Sequence, residues 1–118
     1  MLKLNKNMMS GNMTSDPVLN HTANGLPVAN FRLANNSMAG DKEKTCFIDC
    51  AVFGKRAEAT MQFCRKGSPV VVEGRLDEDQ WTDDKGQKRF KHYITVSEIH
   101  FLRMDNSTQE PAPDDVDI

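Results

Sequence analysis

Apolar residues recur with a period of two over most of the chain, which limits it to a fold built of β-strands with one short helical break. PVANFRLA, residues 27–34, sets Ala29, Phe31 and Leu33 against Val28, Asn30 and Arg32. RFKHYITV, residues 89–96, sets Phe90, His92, Ile94 and Val96 against Lys91, Tyr93 and Thr95. Both are predicted as half-buried strands. The run SPVVVEG, residues 68–74, reads as a strand entering the interior. Only GKRAEATMQFCRKGS, residues 54–68, departs from this period. There Ala57, Thr60, Met61 and Cys64 fall at helical spacing and Lys66-Gly67 supplies a C-terminal stop.

Turn chemistry separates the strands at SDP (15–17), NG (24–25), AGDKEK (39–44), KGSP (66–69) and DDKG (83–86). The resulting order is three strands, a short helix, then two or more strands. A small antiparallel barrel, closed or nearly so, with a helix between its third and fourth strands matches this order. In its five-stranded Greek-key form, with extended β-hairpins, that all-β architecture is the OB-fold. Alternation alone also admits an SH3-like barrel or a small sandwich.

A chain of 118 residues suits a single domain. We place it at residues 1–104. The remainder, 105–118, has two prolines, five acids and almost no apolar content, so it is expected to be a disordered acidic tail. The net charge of −2 therefore hides an asymmetry: residues 1–104 hold 12 acids against all 15 lysines and arginines, a balance of +3. No apolar run approaches the roughly 20 residues of a membrane span. MLKLNKNMMSGNM at the N-terminus lacks the continuous apolar segment of a signal peptide, so a cytoplasmic protein without membrane partners is expected. Cys46, Cys50 and Cys64 read as reduced, buried thiols. With His21, His92 and His100 scattered and no Cys-x-x-Cys or His-Glu-x-x-His spacing, no metal or other cofactor is expected. No nucleophile–base pair or glycine-rich phosphate loop appears either, which argues against an enzyme.

TCFIDCAVFGK, residues 45–55, faces two ways. Cys46, Ile48, Cys50 and Val52 share one side, a core stripe, while Phe47, Asp49, Ala51 and Phe53 share the other. That second side holds two phenylalanines about 20 Å apart with a carboxylate between them, so it is expected to be wet. A helix, a loop or a neighbouring subunit could cover the rings. The sharper reading is a platform on which unpaired bases stack, each stack contributing roughly 1 to 3 kcal/mol without regard to sequence. Trp81, in the separate segment DEDQWTDDKGQKRF, favours the platform. Phosphates would then need cations along the path. Lys55 follows Phe53 by two residues, and Arg89 lies across the DDKG turn from Trp81.

GNMTSDP, NGLPVANFRLA, FIDCAVFGKRAEA, CRKGSPVVVEGRL, QWTDDKGQKRF and HFL occur in this order between about Asn5 and Leu102, and over that span the chain resembles the bacterial-type single-stranded DNA-binding protein family. The resemblance implies an OB-fold that assembles as a homotetramer and wraps single-stranded DNA during replication, recombination and repair, associated with the nucleoid, with no catalysis and no cofactor. It places the family's stacking aromatics on Phe47, Phe53 and Trp81 and its phosphate contacts on Lys6, Arg32, Lys55, Arg65, Lys66 and Arg89. It also implies that the acidic end docks replication and repair proteins. Here that end carries Asp114, Asp115, Asp117 and Ile118 but lacks the terminal proline and phenylalanine common in the family, which weakens the expected docking.

Two further departures bear on binding. The loop NNSMAGDKEK offers only Met38 where many members have another aromatic. Asp77, Glu78 and Asp79 stand where basic residues are common, and are expected to repel phosphate. An OB-fold protein-interaction subunit with weak DNA binding is the alternative reading.

Overall fold

The computed structural model describes residues 1–103. Both Met104 and the acidic tail, including Asp114, Asp115, Asp117 and Ile118, lie outside the described residues. Strands form where the period-two pattern predicts them, as β1 (Asn7–Met13), β2 (Val18–His21), β3 (Pro27–Ala39), β4 (Lys42–Phe53), β5 (Pro69–Thr82) and β6 (Lys88–Phe101), with α1 (Lys55–Phe63) between β4 and β5. Their inward stripes meet in one core: Ala29, Phe31 and Leu33 from β3, Cys50 and Val52 from β4, Val70 and Val72 from β5, Ile94 and Val96 from β6, and Met13 from β1. Ala57 of α1 and Cys64 just beyond it also pack into this core.

Hydrogen bonding runs β1-β5-β6-β4-β3, and β1 returns to β3 through Asn12↔Ala34 and Met13↔Leu33, which closes a five-stranded OB barrel. The helix follows four strand segments, one more than the turn signals were read to give. After the SDP turn the chain pairs again as the four-residue β2, against Pro27–Asn30 of β3. One pairing is also parallel where an antiparallel barrel was expected, β4 with β6 over Asp49↔Tyr93 to Val52↔Val96. A parallel pair needs a crossover, and α1 followed by the whole of β5 provides it.

β3, β4, β5 and β6 are longer than the barrel they enclose, so their outer halves leave it as two arms. The β3–β4 arm contains NNSMAGDKEK, read from sequence as a loop; it is paired from Asn35↔Cys46 to Ala39↔Lys42 and turns at Gly40 and Asp41. Gly40 takes φ 70°, the left-handed conformation that a two-residue hairpin loop demands. Cys46 lies on this arm and is exposed, correcting the expectation of three buried thiols. Its alternation is correct, but the barrel does not reach far enough to cover it. The same reason leaves Phe90 and His92 exposed while Ile94 and Val96 of the same stripe are buried.

α1 stops at Phe63, short of the Lys66-Gly67 signal. Cys64 turns extended to enter the core, and the Ser68 hydroxyl accepts from the Arg65 backbone N–H in the connection that follows. Thr60, wholly buried, satisfies its hydroxyl by donating to the Arg56 carbonyl one turn earlier.

Two predictions follow from these placements. Gly74 sits at a bulge where β5 crosses β6 so closely that a Cβ would meet the Thr95 carbonyl. Gly74→Ala is therefore expected to destabilise the barrel by about 1 to 3 kcal/mol, read as a fall in the urea midpoint. Burial, then the neighbouring Asp49 charge, pushes the Cys50 thiol up to about 12, and burial also raises Cys64. Native protein should thus show one thiol reacting rapidly with Ellman's reagent, Cys46, with the other two following only on unfolding.

Candidate nucleic-acid interface

The register of four neighbouring strands collects the outward residues into one sheet face. Phe47, Asp49, Ala51 and Phe53 of β4 stand opposite Ala34, Arg32, Asn30 and Val28 of β3. Across the parallel seam, Asp49 and Ala51 stand beside Tyr93 and Thr95 of β6. Those in turn face Asp77 and Arg75 of β5, and further along the arm Lys91 meets Asp79 and Arg89 meets Trp81. A single continuous outer surface therefore carries Phe47, Phe53 and Trp81. Their rings are 52%, 39% and 49% exposed, which leaves each accessible for stacking. The face is not uniformly wet, since Ala51 is buried and Asp49 half-buried, forming a hollow between the two phenylalanines.

Cations on this surface are held by the protein's own acids. The Arg32 guanidinium lies 5.5 Å from the centroid of the Phe47 ring and 3.7 Å from Asp49. Lys91 reaches the other Asp49 oxygen at 3.2 Å. Arg75 grips Asp77 at 2.9 Å, and the Thr95 hydroxyl donates to the same carboxylate. Arg89 reaches Asp83 at 3.0 Å. Four cations thus face four carboxylates once Asp79 is included. Asp79 has no cationic partner among the described residues and accepts only from the Tyr93 hydroxyl, at 3.2 Å. Burial first, and then Asp79, raise the Tyr93 phenol, which keeps it protonated as a donor.

Of the three acids expected to repel phosphate, only Asp77 and Asp79 share the aromatic face. Glu78 points to the opposite side of the β5–β6 arm, where it accepts from Gln80 and lies 3.6 Å from His92.

The remaining cations flagged from sequence scatter. Lys55 opens α1 two residues after Phe53. Arg65 and Lys66 leave the far end of that nine-residue helix, about 13 Å of helix away, and the Lys66 backbone N–H donates to Asp16. Lys6 lies in a second hollow with Arg75 and Thr95, where Asn5 ties the leading segment to both backbone groups of Leu76. Tyr93 and Asn30 were given no role from sequence. Tyr93 alternates with buried Ile94, but its place beside Asp49 depends on the long-range β4–β6 pairing, which no local pattern announces.

Asp83 organises the tip of the β5–β6 arm by accepting from the Lys85 and Gln87 backbone N–H groups and from Arg89. The Gln87 bond, then Arg89, holds its carboxyl below the ordinary 3.8; Arg75, then Thr95, does the same for Asp77. A depressed folded-state pKa contributes stability that is fully present above 3.8 and lost as pH falls through the lowered value. On acidification, the Lys85 and Gln87 amide resonances are expected to shift and lose exchange protection only below pH 3.8. A midpoint at or above it would show that these bonds do not hold the turn.

Comparison with known proteins accords with this face. Residues 4–102 match the single-strand binding protein family. The single-stranded DNA-binding protein of Wolinella succinogenes is 34% identical over 110 residues, covering 89% of this chain and 68% of that protein. That of Helicobacter hepaticus is 38% identical over 103 residues, covering 83% of this chain and 61% of that protein. The chain thus spans about three-fifths to two-thirds of these relatives' length. Among solved structures, the Plasmodium falciparum SSB complex with ssDNA superposes with a TM-score of 0.80 at 28% identity, over 87% of this chain and 98% of that one. By sequence and by fold, the chain belongs to the single-strand binding protein family.

Proposed function

We propose that this protein binds and shields single-stranded DNA during replication, recombination and repair, without reading a defined sequence and without catalysis. The observation that carries the reading is the single outer sheet face on which Phe47, Phe53 and Trp81 are all exposed. Bases stack on the three rings. Arg32, Lys91, Arg75 and Arg89 exchange their carboxylate partners for phosphates, and Lys6, Lys55, Arg65 and Lys66 extend the path. Exposed surface ion pairs are worth only about 0 to 1 kcal/mol each, so the exchange costs little. Duplex DNA is a poor ligand because its bases are already stacked.

The reading extends to a homotetramer. Leu76 and Phe90, on the opposite side of the β5–β6 arm from the aromatic face, have nothing over them in the single chain, which favours covering by further copies. The acidic tail, with Asp114, Asp115, Asp117 and Ile118, is the proposed contact for replication and repair proteins, and rests on the family resemblance.

Titration with deoxythymidine oligomers is expected to quench Trp81 fluorescence, and a duplex of equal length should bind far more weakly. With labelled oligomers, Phe47→Ala and Trp81→Ala should each weaken binding by about 1 to 3 kcal/mol. Because the face is nearly charge-balanced, affinity should fall only gently with salt. Asp49→Asn, which frees Arg32 and Lys91, should tighten binding at low salt and steepen that dependence. Absence of quenching, or equal affinity for duplex, would reject the function.

A further inference from the structure

Between the two ends of the aromatic face lies a groove of about 300 Å³, bounded by Phe53, Asn20, Asn30, Asp49, Asp79 and Tyr93. From this groove we infer a base-selective subsite that favours bases bearing an exocyclic amino group, cytosine above thymine, with Asp79 as the selecting residue. The inference deepens the single-stranded DNA reading and rests on it.

Phe53 offers any base a stacking surface, so the ring alone does not discriminate. Discrimination comes from the polar groups around it. Both Asp49 oxygens are occupied, Oδ1 by Arg32 and Oδ2 by Lys91. Asp79 differs, because its Oδ1 accepts from the Tyr93 hydroxyl while its Oδ2 has no partner among the described residues. Donation to Asp79 also commits the only proton of the Tyr93 hydroxyl. A base resting on Phe53 therefore meets an anionic acceptor with capacity to spare. Cytosine presents its N4 amino group as a donor, and a carboxylate is its natural acceptor. Thymine presents the O4 carbonyl at the corresponding position, which a carboxylate repels. Lys91 also lines the groove, but its ammonium is held by Asp49 at 3.2 Å.

The test compares deoxycytidine and deoxythymidine oligomers of equal length, in neutral to mildly alkaline buffer where cytosine is uncharged, on the full chain and on Asp79→Asn. The carboxamide keeps the size and the acceptor for Tyr93 but removes the charge and adds an N–H that suits thymine O4. The wild-type protein is expected to favour deoxycytidine by about three- to tenfold, the effect of one charge-assisted hydrogen bond. Asp79→Asn should bring the ratio to one or below, while tightening both complexes because an acid has left the phosphate path. The ratio is the readout, since charge removal alone changes both affinities together. Equal affinity, a thymidine preference in the wild type, or a ratio unchanged in Asp79→Asn would overturn the subsite and leave the DNA-binding function standing. Failure to bind either oligomer would overturn that function with it.

Discussion

Four residue pairs, Asp49↔Tyr93 through Val52↔Val96, lay β4 parallel to β6 and close the barrel. Everything else on the molecule depends on that seam. Inside it, Cys50 and Val52 meet Ile94 and Val96 in the core; outside it, Asp49 meets Tyr93 and Ala51 meets Thr95. One register thus serves both stability and the binding surface. A slip by one residue would turn Asp49 inward and Cys50 outward, and the cost of burying an unpaired carboxylate excludes it. The aromatic face inherits its geometry from a constraint imposed by the core.

The arms carry the opposite problem. Phe47 and Trp81 must be exposed to receive bases, on long hairpins that the barrel does not cover, and such strands invite pairing with other chains. Charge interleaved at period two answers this. Arg32 sits over Phe47, Arg89 stands beside Trp81, and Asp77, Asp79 and Lys91 fill the positions between. Each ion pair is weak, yet a patterned run of them breaks the apolar surface that would otherwise promote association. The groups that keep the arms soluble are also those that phosphates would engage.

Much of this was legible in sequence because alternation is local. The faces of TCFIDCAVFGK, the helix around Ala57 and Thr60, and the turn at DDKG are all set by residues a few positions apart, and each is found where the pattern places it. Reach was not legible. Cys46 and Phe90 alternate correctly with core neighbours, but whether a stripe is covered depends on where the barrel ends, and that is set by strand pairing across the fold. The same limit hid Tyr93, whose role comes from β4, and the short β2, whose pairing with β3 turns on residues beyond the SDP bend. A lone loop reading of NNSMAGDKEK failed for the converse reason: its polar composition masks a hairpin that Gly40 makes possible.

The acids around Trp81 show how formal charge differs from available charge. Counted along the chain, DEDQWTDD presents five carboxylates and no cation. In the fold, Glu78 faces away with His92, Asp77 is neutralised by Arg75, and Asp83 is consumed by two turn amides and Arg89. A phosphate approaching the ring therefore meets one uncompensated described carboxylate on that face, Asp79. Repulsion from a single partly hydrogen-bonded carboxylate at a solvent-exposed site is screened within about 10 Å at ordinary ionic strength. It is too weak to close the face to DNA, and strong enough at hydrogen-bond range to favour a donor over an acceptor. A sequence segment that looks hostile to nucleic acid thus becomes, once paired, a surface with one residue left to express a preference.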